Sequence, residues 1–480
     1  MQCTMPLNMV QADVVVVRQE EYRKLLKLVQ ELSMEVDKLR KENDILREEN
    51  RELRRRLGLN STNSSKPPSS DPPAVRYPQK VCSGRKRGKQ PGDRGHRRQL
   101  LTPTQVVNHR PDVCWHCGAG LLGDIPAAGV HERRQQVEIP QVEPIVTEHC
   151  YHTIRCPHCG GENKAEARGE EKLCCGPRLS ALMATLSTVH NMTRRHIEEL
   201  VEAVVGVRMS LGTIDNRIQE TGAALKEAVE ALRKQLSSEG SLNIDETGWK
   251  KKGERHWLWT FVAPAFTYFH IAKTRSKQVL EDILGYHFNG VIISDRHGLY
   301  RCYQGASKWQ VCLAHLIREA KGLGQSEEDE TSRFGHWVRH ELKLMITLRK
   351  EGKAKSLQMN SCKARLRRAC TLSRDSKNKH VRNLARGILK DWDAVVLFTK
   401  IEGIPPTNNV AEQSLRSLVI SRKISFGNQC ESGLVTTARL RTIAATAKNQ
   451  GVKVWDYLTN ALIQHRSGQP VSLLTNPPSG

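Results

Sequence analysis

Three carboxylates stand where their surroundings make them conspicuous. Asp245 closes a short apolar run in "SLNIDETGWKKK", Asp295 closes another in "GVIISDRHGLYRCY", and Glu412 is the only acid between Gly403 and Cys430. Three acids brought together in a basic protein have a physical use: they hold two divalent cations about 3.5 to 4 Å apart, one activating an attacking oxygen and one stabilising the leaving oxygen of a phosphodiester. Hard oxygen ligands favour Mg2+ or Mn2+, and without metal the three charges repel. Glu412 also has a purely structural reading. With Asn409 as N-cap it sits three residues on, at capping-box spacing, and Ala411, Leu415, Leu418 and Val419 recur at helical intervals.

The second constellation is cysteine. "CWHC" places Cys114 and Cys117, and "CPHC" places Cys156 and Cys159, each pair followed by a glycine (Gly118, Gly160) that lets the backbone turn its amides toward sulfur. Four thiolates suit tetrahedral zinc, one ion per chain, with Val137, Ile139, Ile145 and Val146 expected as short strands of a zinc ribbon. The long gap between the pairs leaves His116, His158 or Cys150 open as substitute ligands. The other cysteines of the 14 follow no regular framework, which argues for a reducing cytosol over a disulfide scaffold.

The elements that must position these groups can be read from periodicity. From Ser241 the pattern is three strands about a Pro264 turn, a helix in "SKQVLEDILGYHF", a buried strand ending at Asp295, and a strand running into a helix in "KWQVCLAHLIREAKGL". That is the order of a ribonuclease H-like fold, an α/β mixed sheet with flanking helices, in which Asp245 and Asp295 lie side by side and a late helix can bring a third acid. Residues 176–238 read as a helical, helix-turn-helix-like domain, one helix ending near Gly206 and the next begun by Ser210 or Thr213. Helix pairs of this kind also serve as plain packing units.

Toward the N-terminus Leu25, Leu32, Leu39, Leu46 and Leu53 recur every seven residues, with Glu35, Glu42 and Glu49 at g and Arg40, Arg47 and Arg54 at e. This predicts a parallel coiled-coil dimer over 18–59. A Ser- and Pro-rich stretch from residue 60 reads as an exposed linker. It leads into a basic arm suited to phosphates or a minor groove, carrying Arg85, Lys86, Arg87, Lys89, Arg94, Arg97 and Arg98.

The whole chain agrees with such a partner. Its 480 residues suggest three or four domains, and its formal charge of +24 favours a polyanion. No apolar run reaches the length of a spanning helix, so a soluble, cytoplasmic protein with no membrane partner is expected.

Taken in order, "NSSKPPSSD", "GRKRGKQPG", the paired CxxC ribbon, "IDET", "SDRHGLY", "CLAH" and "NNVAEQSLR" resemble the transposases of the insertion-sequence 66 family, the TnpC-like proteins of bacterial mobile elements. The resemblance implies an Asp-Asp-Glu triad at Asp245, Asp295 and Glu412 and a helical insertion at about 325–400. It implies a catalytic domain over 239–465, a zinc ribbon over 101–175, a linker and arm over 60–100, and a tail over 466–480. The implied function is metal-dependent end cleavage and strand transfer on terminal inverted repeats and target DNA, by a nucleoid-associated homodimer, with accessory proteins of the same element. Arg416, Arg422 and Lys423 join the arm as candidate DNA contacts. His315 in "CLAH" matches a family position, and a structural histidine fits it equally. Arg296 and His297 stand where family members often carry Gly-Tyr. A non-catalytic zipper and zinc regulator, and a nuclease that cuts without rejoining, are the competing readings.

Overall fold

The computed structural model describes residues 19–64, 71, 99–121, 123, 125–126, 128–167, 169, 173–303 and 306–474. The elements in chain order begin with α1 (Gln19–Gly58), β1 (Thr153–Arg155) and β2 (Glu162–Lys164), then α2 (Pro177–Thr188), α3 (Arg194–Val205), α4 (Leu211–Ala224) and α5 (Lys226–Gln235). A mixed segment follows: β3 (Ser241–Lys251), β4 (Glu254–Val262), β5 (Thr267–Ala272), α6 (Lys277–Leu284), β6 (Phe288–Ser294), α7 (Gly298–Cys302) and β7 (Ala306–Val311). The rest is helical: α8 (Leu313–Leu323), α9 (Asp329–Lys350), α10 (Leu357–Ser373), α11 (Lys379–Lys390), α12 (Trp392–Val396), α13 (Asn409–Ser425), α14 (Glu431–Asn449) and α15 (Val454–Arg466). The chain divides into two compact units, one of Met1–Val75 with Gln310–Thr407 and one of Arg76–Trp309 with Asn408–Gly480.

In the second unit the strands run β5-β4-β3-β6-β7 across one mixed sheet. β3 pairs antiparallel with β4 and parallel with β6, and β4 pairs antiparallel with β5. The β3–β4 turn is Lys252-Gly253, both at positive φ, as a two-residue hairpin of matching twist requires. Along β3 burial alternates. Leu242 and Ile244 enter the main core, whereas Trp249 joins Leu258, Phe269, Leu415, Leu418 and Leu434 on the face covered by α13 and α14. The edge strand β5 is closed off by α14: Thr442 Oγ1 accepts from Phe269 N–H at 2.9 Å, and Thr446 Oγ1 accepts from Thr267 N–H at 3.2 Å.

The two helices expected around Gly206 are present. Gly206 ends α3 in the left-handed region at φ 73, and Ser210 caps α4 by accepting from Thr213 N–H at 3.1 Å.

In the first unit α1 is one uninterrupted helix whose heptad leucines are all more than half exposed. Of the Ser- and Pro-rich segment after it, the structure describes 59–64 and 71, and the first of these residues are docked on the chain. Asn63 is buried, donating from Nδ2 to the Gly58 carbonyl at 2.9 Å and to Gln325 Oε1 at 2.7 Å, while Lys321 Nζ donates to the Thr62 carbonyl at 3.2 Å. The fit is close at Gly322, where a Cβ would stand 2.4 Å from the Asn63 oxygen. At this turn the side-chain amides satisfy their own backbone and a neighbouring helix; the rest of the expected linker lies outside the described residues. The expected insertion is helical, spanning α9 to α12, with buried Glu341 held by Arg365 at 2.7 Å.

Candidate metal and nucleic-acid site

Asp245 and Asp295 are brought level by strand register. Asn243 is paired with Ile293 across the parallel β3–β6 ladder, and each aspartate lies two residues beyond that pair. Asp245 is still within β3, and Asp295 is the first residue past β6, with its Oδ1 accepting from His297 N–H at 2.9 Å.

Glu412 arrives on α13, which crosses the same face of β3. The anchor is Asn408, almost completely buried: its Nδ2 donates to the Ile244 carbonyl at 2.7 Å and its Oδ1 accepts from Asn243 Nδ2 at 2.9 Å. Farther along, Arg422 donates to the Gly248 carbonyl and to Thr247 Oγ1. The N-cap of α13 is therefore Asn408, not Asn409, and its side chain makes no capping bond. The capping-box reading of Glu412 fails because the amide that would cap the helix is used to clamp it to the sheet.

The Asp245 carboxyl feels its acidic neighbours. Burial first, then the charges of Glu246, Asp295 and Glu412, push the Asp245 carboxyl well above the usual carboxylate range, against the Glu246 backbone N–H that its Oδ1 accepts at 3.0 Å. The donor chemistry, oxygen only, is that of hard divalent cations, although the three carboxylates do not lie together as a group within 4.8 Å.

Glu246 was invisible as a structural residue from sequence. The β3 pleat turns it away from Asp245, to the opposite face, where Arg275 Nη2 lies 2.6 Å from Oε1 and Tyr300 donates its hydroxyl to Oε2. Burial and the Asp295 charge push its carboxyl up, and Tyr300 and Arg275 partly offset this. Tyr300, on α7, so finds a buried carboxylate partner. His315 lies on α8 with Nε2 3.3 Å from Arg318 Nη2.

The cysteines form two matching knuckles. Gly118 N–H donates to the Cys114 carbonyl and Gly160 N–H to the Cys156 carbonyl, both at 2.9 Å, and both glycines sit at positive φ, 76 and 72. In each, backbone N–H groups of the second cysteine and of His116 or His158 hold the first thiol below its ordinary range, which suits a thiolate ligand. The four sulfurs do not lie together as a group within 4.8 Å. The expected strands at Val137, Ile139, Ile145 and Val146 are absent; all four side chains are exposed, and the hairpin is instead β1–β2, astride the second knuckle. Pro140 and Pro144 explain the loss, since neither can donate to a ladder.

Of the candidate DNA contacts, Arg416 and Lys423 are exposed on α13, and Arg422 is engaged with β3. Arg85, Lys86, Arg87, Lys89, Arg94, Arg97 and Arg98 lie outside the described residues.

Comparison with protein families places these features together. The model described as the Transposase IS66 family matches residues 172–435, more than half of the chain and inclusive of all three acids. The zinc-finger binding domain of transposase IS66 matches 111–160, spanning both cysteine pairs, and a family of unknown function matches 18–99. No curated protein matches the chain.

Proposed function

The chain belongs to the IS66 transposase family, and from that premise we propose that it cuts the ends of its mobile element and joins them to target DNA, using Asp245, Asp295 and Glu412 as ligands for two Mg2+ ions. The observation that carries this is strand register, which sets Asp245 level with Asp295, together with the charges of Asp295 and Glu412 that both act on the Asp245 carboxyl. The sheet order β5-β4-β3-β6-β7, with its parallel centre, supports a ribonuclease H-like core.

When bound, the metal pair would supply activation of the attacking oxygen and charge stabilisation at the leaving oxygen. The chain's own residues do the rest. Asn408 and Arg422 hold α13 at two points so that Glu412 keeps its place, and Arg275 with Tyr300 fixes Glu246, the neighbour of Asp245. Arg416 and Lys423, exposed on the helix that carries Glu412, are placed to meet phosphates. The two knuckles supply a zinc-binding module, the arm at 85–98 further DNA affinity, and α1, through its exposed leucines, a second copy of the chain for the second element end.

The test is isosteric. Asp245→Asn, Asp295→Asn and Glu412→Gln should each abolish Mg2+-dependent cleavage and strand transfer while DNA binding persists. Near-normal strand transfer by Glu412→Gln would remove Glu412 from the site.

A further inference from the structure

Arg441, on α14, is only 6% exposed, and among the described residues its guanidinium has a single partner, Asn191 Oδ1, which accepts from Nη2 at 2.6 Å. The buried guanidinium of Arg466 is by contrast matched with an acid, Glu220 at 2.9 Å, and the half-buried Arg275 with Glu246 at 2.6 Å. A buried guanidinium left with one neutral acceptor is costly unless an anion completes it. Burial pushes Arg441 down to about 10, with no carboxylate to offset it.

Arg441 lines a cleft of about 310 Å³ between α13, α14 and the sheet. Gln413, Ser414 and Ser417 of α13 and Lys448 of α14 share its wall, over a floor that includes Phe269; the lining holds two cations and no carboxylate. Its place relative to the acids follows from register. Asp245 is paired with Thr260, and Thr260 with Phe269, so cleft floor and Asp245 are two strand spacings apart on one sheet face, about 10 Å. Ser414 bridges the interval, its Oγ 2.9 Å from Thr260 Oγ1. At about 3.4 Å per nucleotide along a strand, that is roughly three steps.

We propose that this cleft binds a backbone phosphate of the DNA strand that runs past the acidic site, with Arg441 and Lys448 as its cations and Ser417 as a hydroxyl donor. The assignment rests on DNA as the substrate, as in the reading above, and is independent of whether the three acids hold metal.

The test uses the full-length protein and a short DNA duplex without divalent cations, measuring affinity across a salt series together with thermal stability. Lys448→Gln, an exposed position, should weaken binding and make the slope of log K against log salt shallower by about 0.9, the loss of one phosphate contact, with the melting temperature unchanged. Ser417→Glu sets a carboxylate in the cleft. It should raise the melting temperature by pairing Arg441, yet weaken DNA binding with a similar change of slope. If both variants keep the wild-type affinity and slope, the assignment is overturned, and Arg441 serves only to hold the Asn191 turn. If inorganic phosphate raises the wild-type melting temperature and Ser417→Glu abolishes that rise, while DNA affinity and slope stay unchanged, the cleft takes a free anion and the DNA assignment again falls. Cleavage is not read, so the cleft and the metal site can fail separately.

Discussion

Asn408 donates its side-chain amide to the carbonyl of Ile244, the residue before Asp245, at 2.7 Å. One hydrogen bond thus ties the helix that carries Glu412 to the strand that carries Asp245. Asn408→Ala leaves that carbonyl and the Asn243 amide without this partner, in a buried place, and should cost about 1 to 3 kcal/mol in chemical denaturation. Strand transfer should fall further than stability accounts for, since a misplacement of about 1 Å is worth on the order of a hundredfold in rate. Full activity in a destabilised but folded variant would dissociate the clamp from the site.

The raised carboxyl of Asp245 makes a pH prediction for metal-free protein. A group whose folded value lies above its unfolded one, about 3.9, contributes stability that is complete below the unfolded value and is lost as pH rises through the folded one. Asp245→Asn should therefore become more stable relative to wild type as pH rises from about 4 toward neutrality. Mg2+ should raise the melting temperature of wild type at neutral pH and leave the variant nearly unaffected. Parallel pH curves without metal would contradict the shared acidic site.

Glu246 makes the opposite case, a carboxylate near the site that serves the fold. Glu246→Ala leaves the buried Tyr300 hydroxyl without this acceptor and the half-exposed Arg275 without its ion pair, and should cost about 1 to 3 kcal/mol. The Mg2+-induced rise in melting temperature should survive in Glu246→Gln, which keeps the shape; its loss there would make Glu246 a metal ligand.

Metal analysis of the purified full-length chain should find one zinc, lost together with folding of the 111–160 segment on Cys114→Ser. Unchanged zinc in that variant would shift the ligand set to His116, His158 or Cys150.

A peptide spanning 18–60 should sediment as a dimer at tens of micromolar, because five exposed leucines on one helix have no partner within the described chain. Leu32→Glu with Leu39→Glu should return it to monomer.

Much of the core was legible. The strand and helix order after Ser241 emerged from alternation and turn residues, and the parity of β3 fixed Asp245 and Glu246 on opposite faces, although the use of Glu246 was not visible. The cysteine pairs, the leucine heptads and the break between α3 and α4 at Gly206 were likewise local signals, readable without knowing what lies opposite.

Sequence by itself determined which residue types recur at which period, and hence where helices, strands and knuckles begin, because those choices rest on contacts a few residues apart. Tertiary structure alone decided which polar groups found distant partners. Asn408 clamps instead of capping, Asn63 docks against Gln325, Glu246 pairs with Tyr300 and Arg275, and Arg441 is buried beside a cleft with no acid. Each is a buried polar group, and the free energy of such a group depends on what stands within hydrogen-bonding reach, often more than a hundred residues away in the chain, where no local pattern records it.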